Sequence, residues 1–500
     1  MTIAVESREP SAGQAVAGRD HLTRGRASAA IRGTLWSLVS SFVPGVLGFL
    51  VFLASSRVLS PTEFGIVAFA VSIASVGIAL APAGFREALI QREKISSAHL
   101  DTVFWLCLGA ALVIYAALCV AGPFIGSAAG QPMLAMLIPL VAARVIFDMA
   151  AAVPNALIVR TMSFKMLALR TTVASVVTAL VCLGLLWAGF GLWALAFSQL
   201  AGSIAACIGA MVGARWLPGL RFDRNALADL RAFGLFSNGN HFITTINIDQ
   251  LLIGTLMGPT WLGIYSFARR IFQILTDLLS GALNLVSYSL LSSMQREPAK
   301  LREAYLLGTF ASSIVAFPVF AGLALVAGDL IPFAFGAAWI PAVPVVQAFC
   351  VLGLLTAVGI LQSSLIRSQG QANLWFYYIL GKQLVTVLYI FLFASWGVVA
   401  LTTSLVILNV LLWLPTLHMV VSLLGISIWT YLRSFAVPVA ATLVMGLCGW
   451  LVQQELAAVE PLLRLGATIG AAALSYGAMI ALLGRSRIET LLGFVRRRRG

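Results

Sequence analysis

Apolar runs of about 20 residues, separated by short polar connections, extend over almost the whole chain. A helix needs roughly 20 apolar residues to cross a bilayer core about 30 Å thick, so each run predicts one transmembrane helix. The pattern therefore predicts an all-α polytopic membrane protein of about 14 spans. In chain order, the predicted spans are 33–57, 64–85, 102–126, 133–158, 168–188, 192–214, 233–256, 262–291, 304–327, 342–366, 374–394, 397–423, 434–452 and 462–484.

Composition agrees with this pattern. Hydrophobic residues make up 60% of the chain and charged residues only 10%, against roughly 25% charged in soluble domains. The mean hydropathy of +0.98 excludes a soluble globular protein. The net charge of +14 is better explained by membrane orientation than by nucleic-acid binding, because the basic residues are distributed so unevenly between the connections.

Of the 32 Lys and Arg residues, 26 lie in alternate connections and in the two ends of the chain. The connections on the opposite side hold only Arg57 and Arg464. By the positive-inside rule, the basic connections and both termini are predicted to be cytosolic. Residues 1–30 are interpreted as a disordered basic arm, and residues 486–500 as a basic tail whose Arg496–Arg499 would contact anionic headgroups.

A short motif between spans 1 and 2 recurs between spans 7 and 8. The motif residues Pro61, Thr62, Gly65, Ile66, Phe69 and Ala70 reappear 198 positions later as Pro259, Thr260, Gly263, Ile264, Phe267 and Ala268. Two further echoes follow at similar offsets, Gln91–Glu93 with Gln295–Glu297 and Gly191–Leu195 with Gly397–Leu401. Three ordered echoes predict a duplicated half of about 200 residues.

Because six spans separate the two copies, both halves begin on the same side of the membrane. The sequence therefore predicts two pseudo-symmetric six-helix bundles related by an axis along the membrane normal, plus two extra C-terminal helices. The repeated Pro61, Gly65, Pro259 and Gly263 are interpreted as hinge or structural positions, since Pro starts helices and Gly allows close helix approach. The predicted divisions are lobes at 31–215 and 232–424, a cytosolic linker at 216–231, and spans 13–14 within 425–485.

No catalytic signature is present. The chain lacks a phosphate-binding loop, a His-Glu-x-x-His motif and a nucleophile elbow, and the predicted external connections are too short for a catalytic domain. The six cysteines lie inside apolar runs without metal-ligand spacing, so no metal site is predicted. We expect a transporter rather than an enzyme, driven by an ion or substrate gradient.

Charged residues inside the predicted spans are the candidate functional groups. Each costs roughly 3 kcal/mol at the bilayer centre, so such residues usually face a partner or a wet cavity. They include Arg144 and Asp148 in span 4, which can form an ion pair at i, i+4 spacing, and Lys382 in span 11. In span 8, Arg269 stands beside a polar stripe formed by Arg270, Gln273 and Asp277. Anion binding and structural pairing both remain open for the basic residues.

Span 7 is polar on two faces, so it is predicted to be central. As a continuous helix, it would place Asn238, His241, Thr245 and Asp249 on one face. Asp249 is the best candidate for a protonatable or cation-binding group, although pairing with Arg269 or Arg270 is an equal alternative. Trp339, in the connection before span 10, is predicted to anchor at the headgroup level.

At several of these places the chain resembles Wzx-type polysaccharide flippases of the multidrug/oligosaccharidyl-lipid/polysaccharide exporter superfamily. The resemblance covers about residues 30–485. It rests on residues 57–68, 154–165, 247–258, 262–270 and 335–344.

The resemblance implies a V-shaped pair of lobes around a cavity that opens alternately to each membrane face. It implies an undecaprenyl-diphosphate-linked oligosaccharide as cargo, moved across a bacterial inner membrane for lipopolysaccharide or exopolysaccharide export, with a polysaccharide polymerase and a chain-length regulator as candidate partners. The residues expected to contact this cargo are Arg269, Arg270, Lys382, Arg144 and Gln273. The residues expected to couple transport to a proton or sodium gradient are Asp249, Asp277, Asp148, His241 and Asn238.

Three alternatives remain open at this point. A drug or cation antiporter, or a peptidoglycan-precursor flippase, would share the same superfamily fold. A membrane polysaccharide polymerase belongs to a different class, and it would need a larger external loop than this chain has.

Overall fold

The computed structural model describes Trp36, Ser40 and residues 42–161, 163–294, 297–485, 487 and 489. The predicted arm 1–30, most of the tail 486–500 and the echo at Gln295–Arg296 lie outside the described residues. The helices, in chain order, are α1 Phe42–Val58, α2 Pro61–Leu80, α3 Gly84–Gln91, α4 Ser97–Ala128, α5 Leu134–Ala142, α6 Arg144–Ala150, α7 Ala152–Arg160, α8 Phe164–Trp187, α9 Trp193–Ala214, α10 Arg224–Thr245, α11 Ile248–Met257, α12 Pro259–Ser293, α13 Pro298–Phe335, α14 Val343–Ser368, α15 Ala372–Phe393, α16 Val398–Leu424, α17 Ile428–Arg433, α18 Ala436–Glu455 and α19 Pro461–Leu483.

Every predicted span coincides with one of these helices or with a series of them broken at a bend. Within the described ranges, ten helices are long and apolar enough to cross a membrane, or eleven if the bent segment 134–160 is one span. The other predicted spans, 1, 7 and 8, correspond to α1, to α10 with α11, and to α12. The predicted fold class, an all-α multi-pass membrane protein, is confirmed.

The first copy of the repeated motif provides the N-terminal capping residues of α2. Ser60 caps the helix by accepting from the Glu63 backbone N–H, and the Glu63 side chain accepts from the Ser60 backbone N–H at 2.9 Å. This reciprocal capping box, with Pro61 at the first helical position, satisfies N–H groups that have no partner inside the helix. The helix ends at Leu80, five residues before the predicted bound, because the residue that precedes Pro82 is extended.

Two predicted spans are not continuous helices. Span 4 bends by 41° between Ala150 and Ala152. Span 7 is broken at Ile246 and Asn247, where the backbone leaves helical angles. The prediction of one polar face running from Asn238 to Asp249 is therefore wrong, because the helix that would carry this face is interrupted between them.

The two copies of the repeated motif pack against each other. A Cβ atom on Gly65 would lie 1.8 Å from the Pro259 carbonyl oxygen, and one on Gly263 would lie 1.8 Å from the Pro61 carbonyl oxygen. These reciprocal approaches are closer than any side chain permits. Since glycine carries no Cβ, α2 and α12 come together backbone to backbone at this point.

Trp339 completes this packing, and the prediction that it anchors among the lipid headgroups is wrong, because the protein encloses its side chain. Its side chain is fully buried in the short 3₁₀ turn Ala337–Ala342. The indole stacks on Phe267 at 4.0 Å between ring centroids, and its Nε1–H donates to the Ser56 carbonyl at 2.7 Å. The Arg57 guanidinium donates to the Phe333 and Ala334 carbonyls nearby. Aromatic stacking and a satisfied indole N–H make interior burial favourable.

The connection that precedes α10 is anchored to α4. The Gly219 N–H donates to the Asp101 carboxylate at 2.9 Å, and the Trp105 indole donates to the Gly219 carbonyl at 2.8 Å. Further along, Arg92 forms an ion pair with Asp229 at 2.7 Å. These contacts hold the start of α10 against helices of the N-terminal half. The predicted division into lobes at 31–215 and 232–424 stays a prediction.

Candidate functional site

Two cavities meet where span 7 is broken. Cavity 1, of about 460 Å³, is lined by α1, α2, α8, α9, α11 and α12. Cavity 2, of about 660 Å³, is lined by α11, α12, α14, α15 and α16. Asn247 at the break and Arg269 on α12 line both cavities. These two side chains therefore form a partition between the two cavities.

Asp249 is held by a compact set of hydrogen bonds at this partition. Its Oδ2 atom forms an ion pair with Arg269 and accepts from the Tyr265 hydroxyl at 2.7 Å. The second terminal nitrogen of Arg269 donates to the Asn247 side-chain oxygen at 3.1 Å. The side chains of Arg269 and Asp249 are 25% and 19% exposed. Of the two roles predicted for Asp249, the structure thus displays the pairing with Arg269.

Arg270 and Gln273 both line cavity 1. Among the described residues, Arg270 forms no ion pair with any carboxylate, and the residue is exposed at the wall of the cavity. Gly48 makes room for it, since a Cβ at that position would come within 3.2 Å of an Arg270 terminal nitrogen. An unpaired guanidinium in a protein-lined cavity presents several N–H donors to an anion.

The lining of cavity 1 has a uniform sign of charge. Its described lining residues include two arginines, Arg269 and Arg270, and no Asp or Glu. The other polar members are uncharged hydroxyl and amide side chains: Ser55, Ser175, Thr178, Ser198, Gln199, Asn247, Gln250, Ser266 and Gln273. Such a cavity favours an anionic ligand and disfavours a cationic one.

Arg144 reaches the same cavity only through another residue. Its guanidinium lies 3.4 Å from Asp148 and donates to the Gln199 side-chain oxygen at 3.1 Å. Gln199 lines cavity 1, whereas Arg144 and Asp148 do not. The predicted ion pair between Arg144 and Asp148 is confirmed. Through its own hydrogen bond, Arg144 orients the Gln199 amide at the wall of cavity 1.

Lys382 lies on α15 and lines cavity 2. It is half-buried, and within the described part of the chain no carboxylate lies in ion-pair range of its amine. Cavity 2 also contains Asp249 and Arg269, whose charges offset each other. The free positive charge of this cavity is therefore carried by Lys382.

Besides Asp148, three further predicted coupling residues line neither cavity. Asn238 accepts from the Gly84 N–H at 3.3 Å, where α10 packs on α3. His241 contacts Thr245 within α10 at 3.3 Å. Asp277 is exposed on α12, beyond the cavity-lining part of that helix. The structure therefore pairs Asp249 with Arg269 and gives these three residues other surroundings.

Some lining residues were not predicted from the sequence. Gln250 donates to the Ser266 hydroxyl at 3.1 Å and so joins α11 to α12 at the wall of cavity 1. Six aromatic residues surround cavity 2: Tyr265, Phe272, Phe349, Trp375, Tyr378 and Trp413. In sequence, these aromatics do not stand out among the apolar residues of their spans, because helix packing alone brings them together.

Comparison with known proteins gives this arrangement a context. A family model described as "Polysaccharide biosynthesis protein" matches residues 53–344, which is more than half of the chain. The chain belongs to this family. The resemblance predicted from the sequence motifs is thereby confirmed.

Two curated relatives are similar over much of their length. The succinoglycan biosynthesis transport protein ExoT of Rhizobium meliloti is 25% identical over 486 residues, 94% of this chain and 96% of the relative. The lipopolysaccharide biosynthesis protein WzxC of Escherichia coli is 25% identical over 354 residues, 69% of this chain and 71% of the relative.

Solved structures show the same fold. The lipid II flippase MurJ in an inward closed conformation superposes with a TM-score of 0.75 at 13% identity, covering 91% of this chain and 99% of MurJ. An outward-facing multidrug resistance transporter of the MOP superfamily superposes with a TM-score of 0.50 at 18% identity, covering 79% of this chain and 96% of that protein. The chain therefore has the fold of these two membrane proteins.

Proposed function

We propose that this protein is a flippase that moves an undecaprenyl-diphosphate-linked oligosaccharide across the bacterial inner membrane for surface polysaccharide export. One observation supports the cargo chemistry above all others. Cavity 1 is lined by two arginines and no carboxylate, and Arg270 has no ion-pair partner among the described side chains. A lipid diphosphate is the anion that such a cavity would accept.

The physical argument concerns the cost of moving a diphosphate through hydrocarbon. Ionised groups are expensive inside a bilayer unless an opposite charge or a wet cavity accompanies them. Arginine binds phosphate oxygens through two parallel N–H donors, so it combines charge with directional hydrogen bonding. Arg270 would bind the diphosphate directly, with Gln273 beside it and with Gln199, oriented by Arg144, across the cavity.

We further propose that Asp249 couples this movement to a proton or sodium gradient. A carboxylate that gains a proton or a cation loses its attraction for a neighbouring guanidinium. Release of Arg269 from Asp249 would change the charge at the partition between the two cavities. The contacts of Asp249 with Arg269 and Tyr265 support this role.

The orientation and the partners belong to the same proposal. The distribution of Lys and Arg supports cytosolic termini. A polymerase and a chain-length regulator would receive the translocated units on the outer face.

A leaflet-resolved assay of lipid-linked oligosaccharides in a deletion strain tests the proposal. We expect these lipids to accumulate on the cytosolic leaflet and surface polymer to be lost. Complementation with Arg270→Ala should fail with the lipids still on the cytosolic leaflet, whereas Arg221→Ala, on the connection before α10, should restore export. Repeat units that reach the outer leaflet normally and stay unpolymerised would refute flipping and favour a polymerase.

The fold of MurJ makes a peptidoglycan-precursor flippase the second candidate, because the superposition covers 99% of that protein. Depletion of the host's own lipid II flippase separates the two functions. Rescue of growth by this chain would support the second candidate. Loss of surface polymer without any effect on growth supports polysaccharide export.

A further inference from the structure

We infer that cavity 2 is a saccharide subsite that selects a sugar bearing a carboxylate. This inference rests on the proposed function, because it assigns the part of the cargo that follows the diphosphate. Cavity 1 would hold the diphosphate and cavity 2 the glycan, on the two sides of the partition formed by Asn247 and Arg269.

The first argument is the chemistry of the cavity wall. Six aromatic side chains face a space of about 660 Å³ together with amide and hydroxyl groups. Ligand sites of this kind commonly measure about 300–1,000 Å³ and combine aromatic walls with a few placed polar groups. A sugar ring has apolar C–H faces and a polar hydroxyl edge, so it suits aromatic faces and amide groups at once.

The second argument is that several polar groups of this wall lack protein partners. The Trp413 indole nitrogen is buried and has no hydrogen-bond acceptor. Gln383 on α15 makes no hydrogen bond in the described part of the protein. The side-chain nitrogen of Asn409 donates to the Leu405 carbonyl at 2.8 Å, and its side-chain oxygen has no donor among the described residues. A buried donor without an acceptor, such as the Trp413 indole nitrogen, destabilises the empty cavity. Sugar hydroxyls can satisfy donors and acceptors alike.

The third argument is the charge of Lys382. This amine has no carboxylate partner among the described residues that line the cavity, since Asp249 already pairs with Arg269. A neutral glycan would leave the amine unpaired in a largely apolar setting. A uronic acid, or another sugar with a carboxylate substituent, would pair with it.

The test uses the purified full-length protein in lipid nanodiscs and isothermal titration calorimetry. Farnesyl diphosphate probes cavity 1. Cellobiouronic acid, a disaccharide with a glucuronic acid residue, probes cavity 2, and cellobiose is its neutral counterpart. We expect cellobiouronic acid to bind at least about tenfold more tightly than cellobiose.

Variants assign that preference to particular side chains. Lys382→Gln should abolish the preference for cellobiouronic acid, while the affinity for farnesyl diphosphate stays unchanged. Lys382→Arg, which keeps the positive charge, should keep the preference. Trp413→Phe, which keeps the ring and removes the N–H, should weaken both disaccharides. The matched controls are Lys300→Gln, at a surface ion pair with Glu297, and Trp429→Phe, at an exposed ring outside both cavities.

Equal binding of the two disaccharides, or a preference that survives Lys382→Gln, would overturn the inference. Failure of the proposed diphosphate site has a different signature, because farnesyl diphosphate would then not bind or would bind the Arg270→Gln variant unchanged. The two results are read from different ligands, so one cannot be mistaken for the other.

Discussion

The side-chain oxygens of Thr62 and Thr260 lie 2.8 Å apart and share a hydrogen bond, although 198 residues separate them in the chain. They occupy the same position in the two copies of the repeated motif. Gly65 and Gly263 make their reciprocal backbone contacts beside this bond. The repeat therefore contacts itself at the point where α2 of the N-terminal half meets α12 of the C-terminal half. Alternating access would require this contact to open.

A disulfide between positions 62 and 260 should trap the contact. In a background without the six native cysteines, Thr62→Cys with Thr260→Cys should cross-link under mild oxidant, because the new sulfur atoms replace oxygens already in contact. Transport should stop on oxidation and return with reductant. Thr62→Cys paired with Trp396→Cys is the control that should not cross-link. Full transport by the cross-linked protein would show that transport does not require this contact to open.

Adding one methyl group at either motif glycine should destabilise the protein. Gly65→Ala and Gly263→Ala each place a Cβ 1.8 Å from a carbonyl oxygen, and overpacking of this kind costs about 1–3 kcal/mol. We expect a lower melting temperature in detergent for both variants. Gly109→Ala, which has no neighbour within 4 Å, should melt like the unmodified protein. Equal melting of all three variants would contradict the close packing.

Variants that remove either partner of the Asp249–Arg269 ion pair should change both the stability of the protein and its transport activity. Asp249→Asn leaves a largely buried guanidinium without its carboxylate, and loss of one partner costs about 3 kcal/mol. Arg269→Gln leaves the opposite charge and should cost a similar amount. The double variant should regain much of the melting temperature, since no charge is left unpaired, while transport stays lost. A double variant that transports normally would remove the pair from the coupling mechanism.

Replacement of the buried Trp339 by Phe tests its interior position. The ring stack on Phe267 would remain, but the Ser56 carbonyl would lose its donor, at a cost of about 1–2 kcal/mol. Size-exclusion chromatography of heated samples, used to monitor thermal unfolding, should show a lower melting temperature. Trp396→Phe, at a side chain 68% exposed, is the matched control. If both variants melted alike, the indole hydrogen bond would be irrelevant to stability.

Cysteine labelling checks the predicted orientation. Lys94→Cys lies in a basic connection and Ser127→Cys at the opposite end of α4. In intact cells, with the outer membrane permeabilised where one is present, a membrane-impermeant maleimide should label position 127 and leave position 94 unlabelled until the cells are lysed. The reverse pattern would invert the topology.

The sequence alone was sufficient for most of the spans, the fold class and the family. A transmembrane helix needs a continuous apolar run of fixed length, and that requirement is local in sequence. The repeat of Pro61 and Gly65 at Pro259 and Gly263 was likewise visible without a structure. What the repeat does was not visible, because reciprocal contact between its copies is a property of helix packing.

Only the tertiary structure decided the composition of the two cavities. Their residues come from helices far apart in sequence, so no spacing rule groups Arg270 with Gln199, or Lys382 with Trp413. The same holds for Asp249, whose partner could have been Arg269 or Arg270 until the helices were packed. The break at Ile246 and Asn247 was missed because hydropathy measures the apolar content of a run and carries no information on where its backbone bends. Local sequence determines which segments enter the membrane, and the contacts between them determine which polar groups remain free to bind a ligand.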